Sequence, residues 1–490
     1  MTYKTPGVYV EEISTFPPSV TEVETAIPAF IGYTQIAKRR VDDDLHLVPY
    51  RIENMIEYQS YFGGPDVEKG IKVTFTETLD GNAPPSVIKT EAVATWTGQK
   101  SKFILYYAMQ LYFANGGGPC YIVSVGKYSD PTGQDIGDET KGILGGVAKI
   151  EKEDEPTLIL CPEAIYLSSK DLFSFQTTAI GQAAKLKDRF VICDIQEKKD
   201  DGTSKNLTEI QGDFRGGIGN NDLKYAAAYF PFLKTSLNVE FDPAFVIIEK
   251  SVSFAGTSSA PLSPPAPSSP PAPLTLQDFK LSNNAGGNLC EAAIKDLLMT
   301  LPPSPAMAGV YAYVDSTRGV WKAPANVSLN RVVDVTINLT KDEQRDFNVS
   351  DTGKSIDAIR PFPGKGILVW GARTLDGASN EWRYINVRRF FIMVEESVQK
   401  STMWAVFEPN TKSTWVKVKG MIENYLITKW IEGALAGAKP EDSFFVRVGL
   451  GITMSADDIN NGIMNVEIGM AVSRPAEFII LKFSHKLQVS

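Results

Sequence analysis

Histidine is the scarcest chemistry-bearing residue in this 490-residue chain, with only His46 and His485 present. A Ser–His or Cys–His nucleophile pair, or a histidine-based metal site, needs imidazole within reach of its partners. Two isolated histidines make either hard to assemble. His46 follows Asp42-Asp43-Asp44, an oxygen-rich stretch that resembles a cation site but reads more simply as a solvated acidic loop. His485 reads as a strand residue. The cysteines Cys120, Cys161, Cys193 and Cys290 are far apart and show no CxxC spacing. Cys161 and Cys193 lie in apolar runs, as small buried hydrophobes of a reducing compartment do. A disulfide framework is not expected at this density.

Asn115-Gly116-Gly117-Gly118 looks superficially like a phosphate-cradling loop. Such a loop requires a Lys-Ser/Thr and a helix after its glycines, whereas Pro119-Cys120 and a strand follow here. These glycines are expected to end a helix. Glu395 and Glu396 are adjacent, so on a helix they point about 100° apart and do not cooperate as acid and base. The run Glu151-Lys152-Glu153-Asp154-Glu155 precedes a strand and reads as surface. No catalytic residue, metal ligand or cofactor is expected.

The elements that would position any site are those of an ordinary soluble protein, with 43% hydrophobic and 22% charged residues. The length allows about two to four domains. The formal charge of -9 argues against nucleic acid as a partner, because phosphate neutralisation needs a basic surface. The acidity is uneven: from Ile385 onward the chain is close to neutral, and the preceding part carries the negative excess. The residues after Met1 include no apolar core of a secretory signal. No run of about 18 apolar residues occurs, so no membrane span is expected.

Buried strands are predicted at Pro28–Tyr33, Cys120–Val125, Leu158–Cys161, Phe190–Asp194, Ala244–Glu249 and Gly366–Trp370. Helices lie between them, including 103–113 and 173–186. Apolar strands spaced by helices imply an α/β layer with a largely parallel sheet. Residues 63–100, with strand-like 72–76 and 92–96, read as a small β insertion. The Pro/Ser/Ala run 260–273 reads as an exposed polyproline-like spacer. Further on, 383–387 reads as a strand and 391–407 as a helix. Asn410 reads as the N-cap of a second helix, with apolar positions Trp415, Val418, Ile422 and Tyr425, ending near Gly433 and Gly437. Two period-two β segments close the chain. Val466, Ile468, Met470 and Val472 share one face of the first; Leu481, Phe483, His485 and Leu487 share one face of the second.

Several stretches together resemble the contractile tail sheath family of myophages, pyocins and phage-derived injection systems. They are Thr5-Pro6-Gly7-Val8-Tyr9-Val10-Glu11-Glu12 with Ala26-Ile27-Pro28-Ala29-Phe30-Ile31-Gly32, then 303–311 (PSPAMAGVY) and 315–326 (DSTRGVWKAPAN). Trp382–Arg389 (WRYINVRR) and Phe407-Glu408-Pro409-Asn410 complete the set. The stretches 63–100 and 251–273 carry no such likeness.

The resemblance implies a structural subunit of mixed α+β and α/β architecture. Residues 1–24 would be an N-terminal strand arm that packs with the C-terminal domain. Residues 25–376 would be an outer α/β domain, with the β insertion at 63–100 and a Pro-rich loop at 251–275. Residues 377–490 would be an inner α+β domain ending in a second strand arm. Copies would stack as hexameric rings around an inner tube and contract to drive it through a membrane. Baseplate and terminal cap proteins would be partners, and nucleic acid and direct membrane insertion would play no part. Such a particle would be assembled in the bacterial cytoplasm and either released or membrane-anchored. The resemblance assigns strand exchange between protomers to Val8, Tyr9, Val10 and Glu11 and to Leu481, Phe483, His485 and Leu487. Lys412, Lys417 and Lys419 are the candidates to touch the tube. The alternatives are a tube or baseplate component of the same machine, or an α/β enzyme built on the middle sheet.

Overall fold

The strand Pro28–Thr34 is buried along its whole length. A run such as Ala29-Phe30-Ile31 has no polar face, so it needs cover on both sides, which is the situation of a strand inside a parallel sheet. The computed structural model describes residues 19–80, 82, 84–98, 100–130, 134–255 and 274–480. In it, Pro28–Thr34 pairs in parallel with Cys120–Lys127 on one side and Leu158–Leu160 on the other. Beyond the latter follow Phe190–Asp194, Ala226–Phe230 and Asp357–Phe362, all parallel. Antiparallel strands close the two edges: Tyr50–Ile52 beside Cys120–Lys127, and Gly366–Val369 beside Asp357–Phe362. The result is a mostly parallel sheet of eight strands in a mixed α/β protein.

Helices Leu105–Ala114 and Ser304–Arg318 pack on each other beside this sheet, and so do Gly142–Ile150 and Ser169–Leu186. The first pair is unusually close. A methyl group on Gly309 would lie 2.6 Å from the Tyr112 carbonyl oxygen, so only glycine fits there. The β insertion is a hairpin of Ile71–Leu79 and Val87–Trp96, and Ile247–Phe254 adds in parallel to the first of these strands. Its Phe75 meets Phe279 of helix Leu276–Ser282 edge-on, with ring centroids 5.0 Å apart.

The chain divides into two compact units. Residues 24–389 form the larger, and residues from Phe390 onward, with those up to Val23, form the smaller. Among the described residues the smaller unit contains most of helix Ile385–Ser401, helix Lys412–Ile431 and a sheet of Phe444–Arg447 with Glu467–Met470.

Several local expectations need correction. The strand expected at 244–249 starts at Ile247 and belongs to the insertion sheet, where it pairs with Ile71–Leu79. Strands Ala226–Phe230 and Asp357–Phe362 of the main sheet were not anticipated. Of the strand expected at 383–387 only a bridge from Tyr384 to Arg373 forms, and helix Ile385–Ser401 starts at the next residue. The Asn386 side chain there donates to the Trp321 carbonyl at 2.8 Å, a part-buried bond that a sequence pattern does not reveal. The helix expected at 391–407 therefore begins earlier and ends at Ser401, followed by a short 3-10 turn, Met403–Ala405. Thr411 precedes the next helix in place of Asn410, whose side-chain amide oxygen accepts from the Trp415 indole N–H at 2.7 Å. The expected alternation over 466–472 holds in burial except at Gly469, which is half-buried like its neighbours, and the ladder spans only Glu467–Met470. The spacer 260–273 lies outside the described residues.

Candidate assembly site

The acidic loop before His46 is built from its own backbone. Asp44 accepts from the N–H groups of Arg39 (2.6 Å), Arg40 (2.8 Å) and Val41 (3.1 Å), which holds its carboxyl below the usual range. Asp42 and Asp43 pair with the Lys127 ammonium at 3.3 and 2.9 Å. The four thiols are free and buried, and burial pushes each of them up. Among the described residues no group of His, Cys, Asp and Glu is arranged to hold a metal ion. No helix among the described residues is long and apolar enough to cross a membrane. Gly116, at φ +97°, follows helix Leu105–Ala114.

In open α/β sheets ligands bind where the strand order reverses, outside the carboxyl ends of the strands. Here that point lies between Pro28–Thr34 and Leu158–Leu160, and Glu163 fills it. One oxygen of Glu163 accepts from the Tyr33 N–H at 2.7 Å, the other from the Leu105 N–H at 3.0 Å at the start of a helix. Its burial raises the carboxyl to about 8. Asp194, at the end of the next strand, is raised by burial to about 7. It accepts from the Ser304 N–H and hydroxyl, at 2.9 and 2.5 Å, where helix Ser304–Arg318 begins. Both carboxylates tie helix starts to strand ends, and neither faces an open cleft.

The motif segments converge within the larger unit. Tyr311 and Tyr229 share a hydroxyl hydrogen bond of 2.8 Å. The Arg389 guanidinium grips Asp315 bidentately, at 2.9 and 2.5 Å, and donates to the Thr25 carbonyl at 2.7 Å. The Thr25 hydroxyl also donates to Asp315, at 2.6 Å. The Arg388 guanidinium lies 4.5 Å from the Trp382 ring centroid. These residues bind parts of the larger unit to each other.

In the smaller unit a groove of about 930 Å³ opens between its elements. Phe391, Val394 and Val398 line one wall, Val418 and Ile422 a second, and Met464, Val466, Ile468 and Met470 the floor. Residues two apart on a strand share a face, so the 464–470 alternation supplies that apolar floor. Among the described residues the two-stranded sheet gains no third strand. Val406 and Phe407 line the groove and are exposed, and Met403, Ile452, Ile479 and Ile480 are further exposed apolar side chains of the smaller unit. An apolar groove next to unpaired strand edges is a template for an added strand.

The expected strand arms, Val8, Tyr9, Val10, Glu11, Leu481, Phe483, His485 and Leu487, lie outside the described residues. Of the candidate tube contacts, Lys412 and Lys417 are exposed and Lys419 is half-exposed, 3.6 Å from Glu423 one turn on. Lys429 escaped sequence reasoning. It is buried and pairs with Glu22 and with Glu432 (2.8 Å), and only its place on the apolar side of helix Lys412–Ile431 hinted at a partner.

Over 99% of its length this chain is similar to the chain solved as the helical sheath of the anti-feeding prophage in its contracted state. The two are 30% identical, all of that chain is covered, and the TM-score is 0.60. The chain belongs to the phage tail sheath family. Its residues 378–486 match the phage tail sheath C-terminal domain. A sheath protein from an extracellular contractile injection system, the PVC sheath complex in its contracted state, is 28% identical. It matches over 99% of both chains with a TM-score of 0.62. The tail sheath protein of Vibrio phage KVP40 is 26% identical over 126 residues, which is 26% of this chain and 19% of that one. The aligned part thus spans about a fifth of that curated relative. Sheath proteins are structural, and this chain is not an enzyme.

Proposed function

We propose that this chain is the sheath subunit of an extracellular, phage tail-like contractile particle. It polymerises with copies of itself as stacked hexameric rings around an inner tube, and the sheath joins a baseplate and a terminal cap. Residues 377–490 form the inner domain and residues 25–376 the outer one. The near-full-length similarity to sheaths solved in the contracted state carries this reading. The apolar groove of the smaller unit, and its sheet of two strands among the described residues, supply its physical basis.

Strand addition gives links with many backbone hydrogen bonds that still pivot, so a lattice can change shape without falling apart. The N-terminal arm with Val8–Glu11 and the C-terminal arm with Leu481–Leu487 make those links in a neighbouring copy. Lys412, Lys417 and Lys419 face the tube. Contraction moves subunits as rigid bodies into a packing that buries more surface between them, and no nucleotide is consumed.

Sedimentation of the purified chain tests the reading. A sheath subunit pellets as long tubes, whereas a chain that stays a small oligomer at every salt and protein concentration is not one that polymerises by itself.

A further inference from the structure

Residues 19–23 belong to no strand or helix and are half-buried to exposed, yet three specific bonds hold them. The Thr21 N–H donates to the Ser401 hydroxyl oxygen at 3.0 Å, and the Val23 N–H donates to that of Ser397 at 3.1 Å. Between them, the Glu22 carboxylate meets the buried ammonium of Lys429, which Glu432 also holds at 2.8 Å. Burial pulls the Lys429 ammonium down, but its bonds to Glu22 and Glu432 outweigh that and keep it above the ordinary lysine value.

The spacing makes this a matched device. Two residues of extended chain advance about 6.6 Å, and four residues of helix advance about 6 Å. Serines at 397 and 401 therefore meet two successive amides on one side of an extended segment. The earlier amide meets the later serine, so the segment runs against helix Ile385–Ser401, with Thr21 at that helix's C-terminal end. Little apolar surface is buried in exchange, since Thr21 and Glu22 stay exposed. What the three bonds fix is position and direction.

We infer that Ser397, Ser401 and Lys429 clamp the root of the N-terminal arm and set the direction in which it leaves its own subunit, and so the register of the link to the next copy. This rests on the sheath reading above. The clamp residues are positioning residues: they act on the neighbour only through the arm.

The test compares the wild-type chain with S397A/S401A, K429M and the conservative variant K429R. Amide hydrogen exchange at Thr21 and Val23, the thermal unfolding midpoint and the order of the polymers in electron micrographs are the readouts. The expected result for S397A/S401A and K429M is exchange at least about tenfold faster, a nearly unchanged midpoint, and short or irregular cylinders. K429R, which keeps a positive charge beside Glu22 and Glu432, keeps regular ones. S401A alone, a half-exposed change, serves if the double variant does not fold. Unprotected amides in the wild-type chain, or clamp variants whose cylinders match wild type in length and helical repeat, overturn the inference. Wild-type chain that never polymerises overturns the sheath reading and this inference with it.

Discussion

Asp315 and Arg389, 74 residues apart in sequence, form a bidentate ion pair with both side chains under a tenth exposed. It unites two motif segments that looked unrelated in the sequence, and it holds Thr25 as a third member. A buried pair of this kind contributes little over an apolar isostere, but removing one partner strands a charge, at about 3–5 kcal/mol. D315A and R389M should each lower the unfolding free energy by roughly that much in urea titrations. The double variant D315L/R389M should recover much of the loss. Additive losses would mean that the two side chains do not depend on each other.

Three buried carboxyls give the protein a pH dependence of definite sign. Glu163 is raised to about 8, and Asp194 and Glu68 to about 7, in each case chiefly by burial. The folded chain therefore holds protons that the unfolded chain has released. Stability is fullest below the ordinary carboxylate pKa and falls as pH rises through the folded values. The unfolding midpoint should decline from about pH 5 to about pH 8. E163Q should flatten part of that slope while lowering stability throughout, because its amide NH₂ would face a backbone N–H donor.

Glycine-to-alanine changes should have opposite signs at two helical sites. G309A pushes a methyl against the Tyr112 carbonyl, 2.6 Å away, and such overpacking costs about 1–3 kcal/mol. At Gly212, in helix Leu207–Gly217, a methyl meets nothing within 4 Å. G212A should stabilise by about 0.5–1 kcal/mol through helix propensity alone. Paired thermal melts decide both.

Phe407 is fully exposed and sits at φ +67°, a conformation that costs a non-glycine residue about 1–2 kcal/mol. F407G relieves that strain, less the chain entropy of glycine, for a net gain of about 0.5–1 kcal/mol. If the side chain serves contacts between copies, the same variant should pellet less. A rise in stability together with a fall in polymer is the expected signature, and unaltered pelleting would remove Phe407 from the interface.

How much was legible follows from what each residue depends on. Leu158–Leu160 and Phe190–Asp194 were readable because strands buried on both faces are apolar throughout. Ala226-Ala227-Ala228 was not, since alanine favours helices and this strand exists only through its parallel neighbours. The helix start at Ile385 was hidden because Asn386 and Arg389 are polar groups satisfied by Trp321 and Asp315, distant in sequence. The groove floor at 464–470 was legible as an alternation, whereas its walls depend on two helices folding over it. For Lys429 the apolar side of its helix was the one hint, because a partner 407 positions earlier leaves no other local trace.

Electron microscopy of the purified chain, alone and without residues 1–15, tests the central claim most directly. The account predicts long hollow cylinders with a helical surface for the whole chain, and their loss in the shortened one. Uniform globular particles from the whole chain, across a range of salt and protein concentrations, would contradict it.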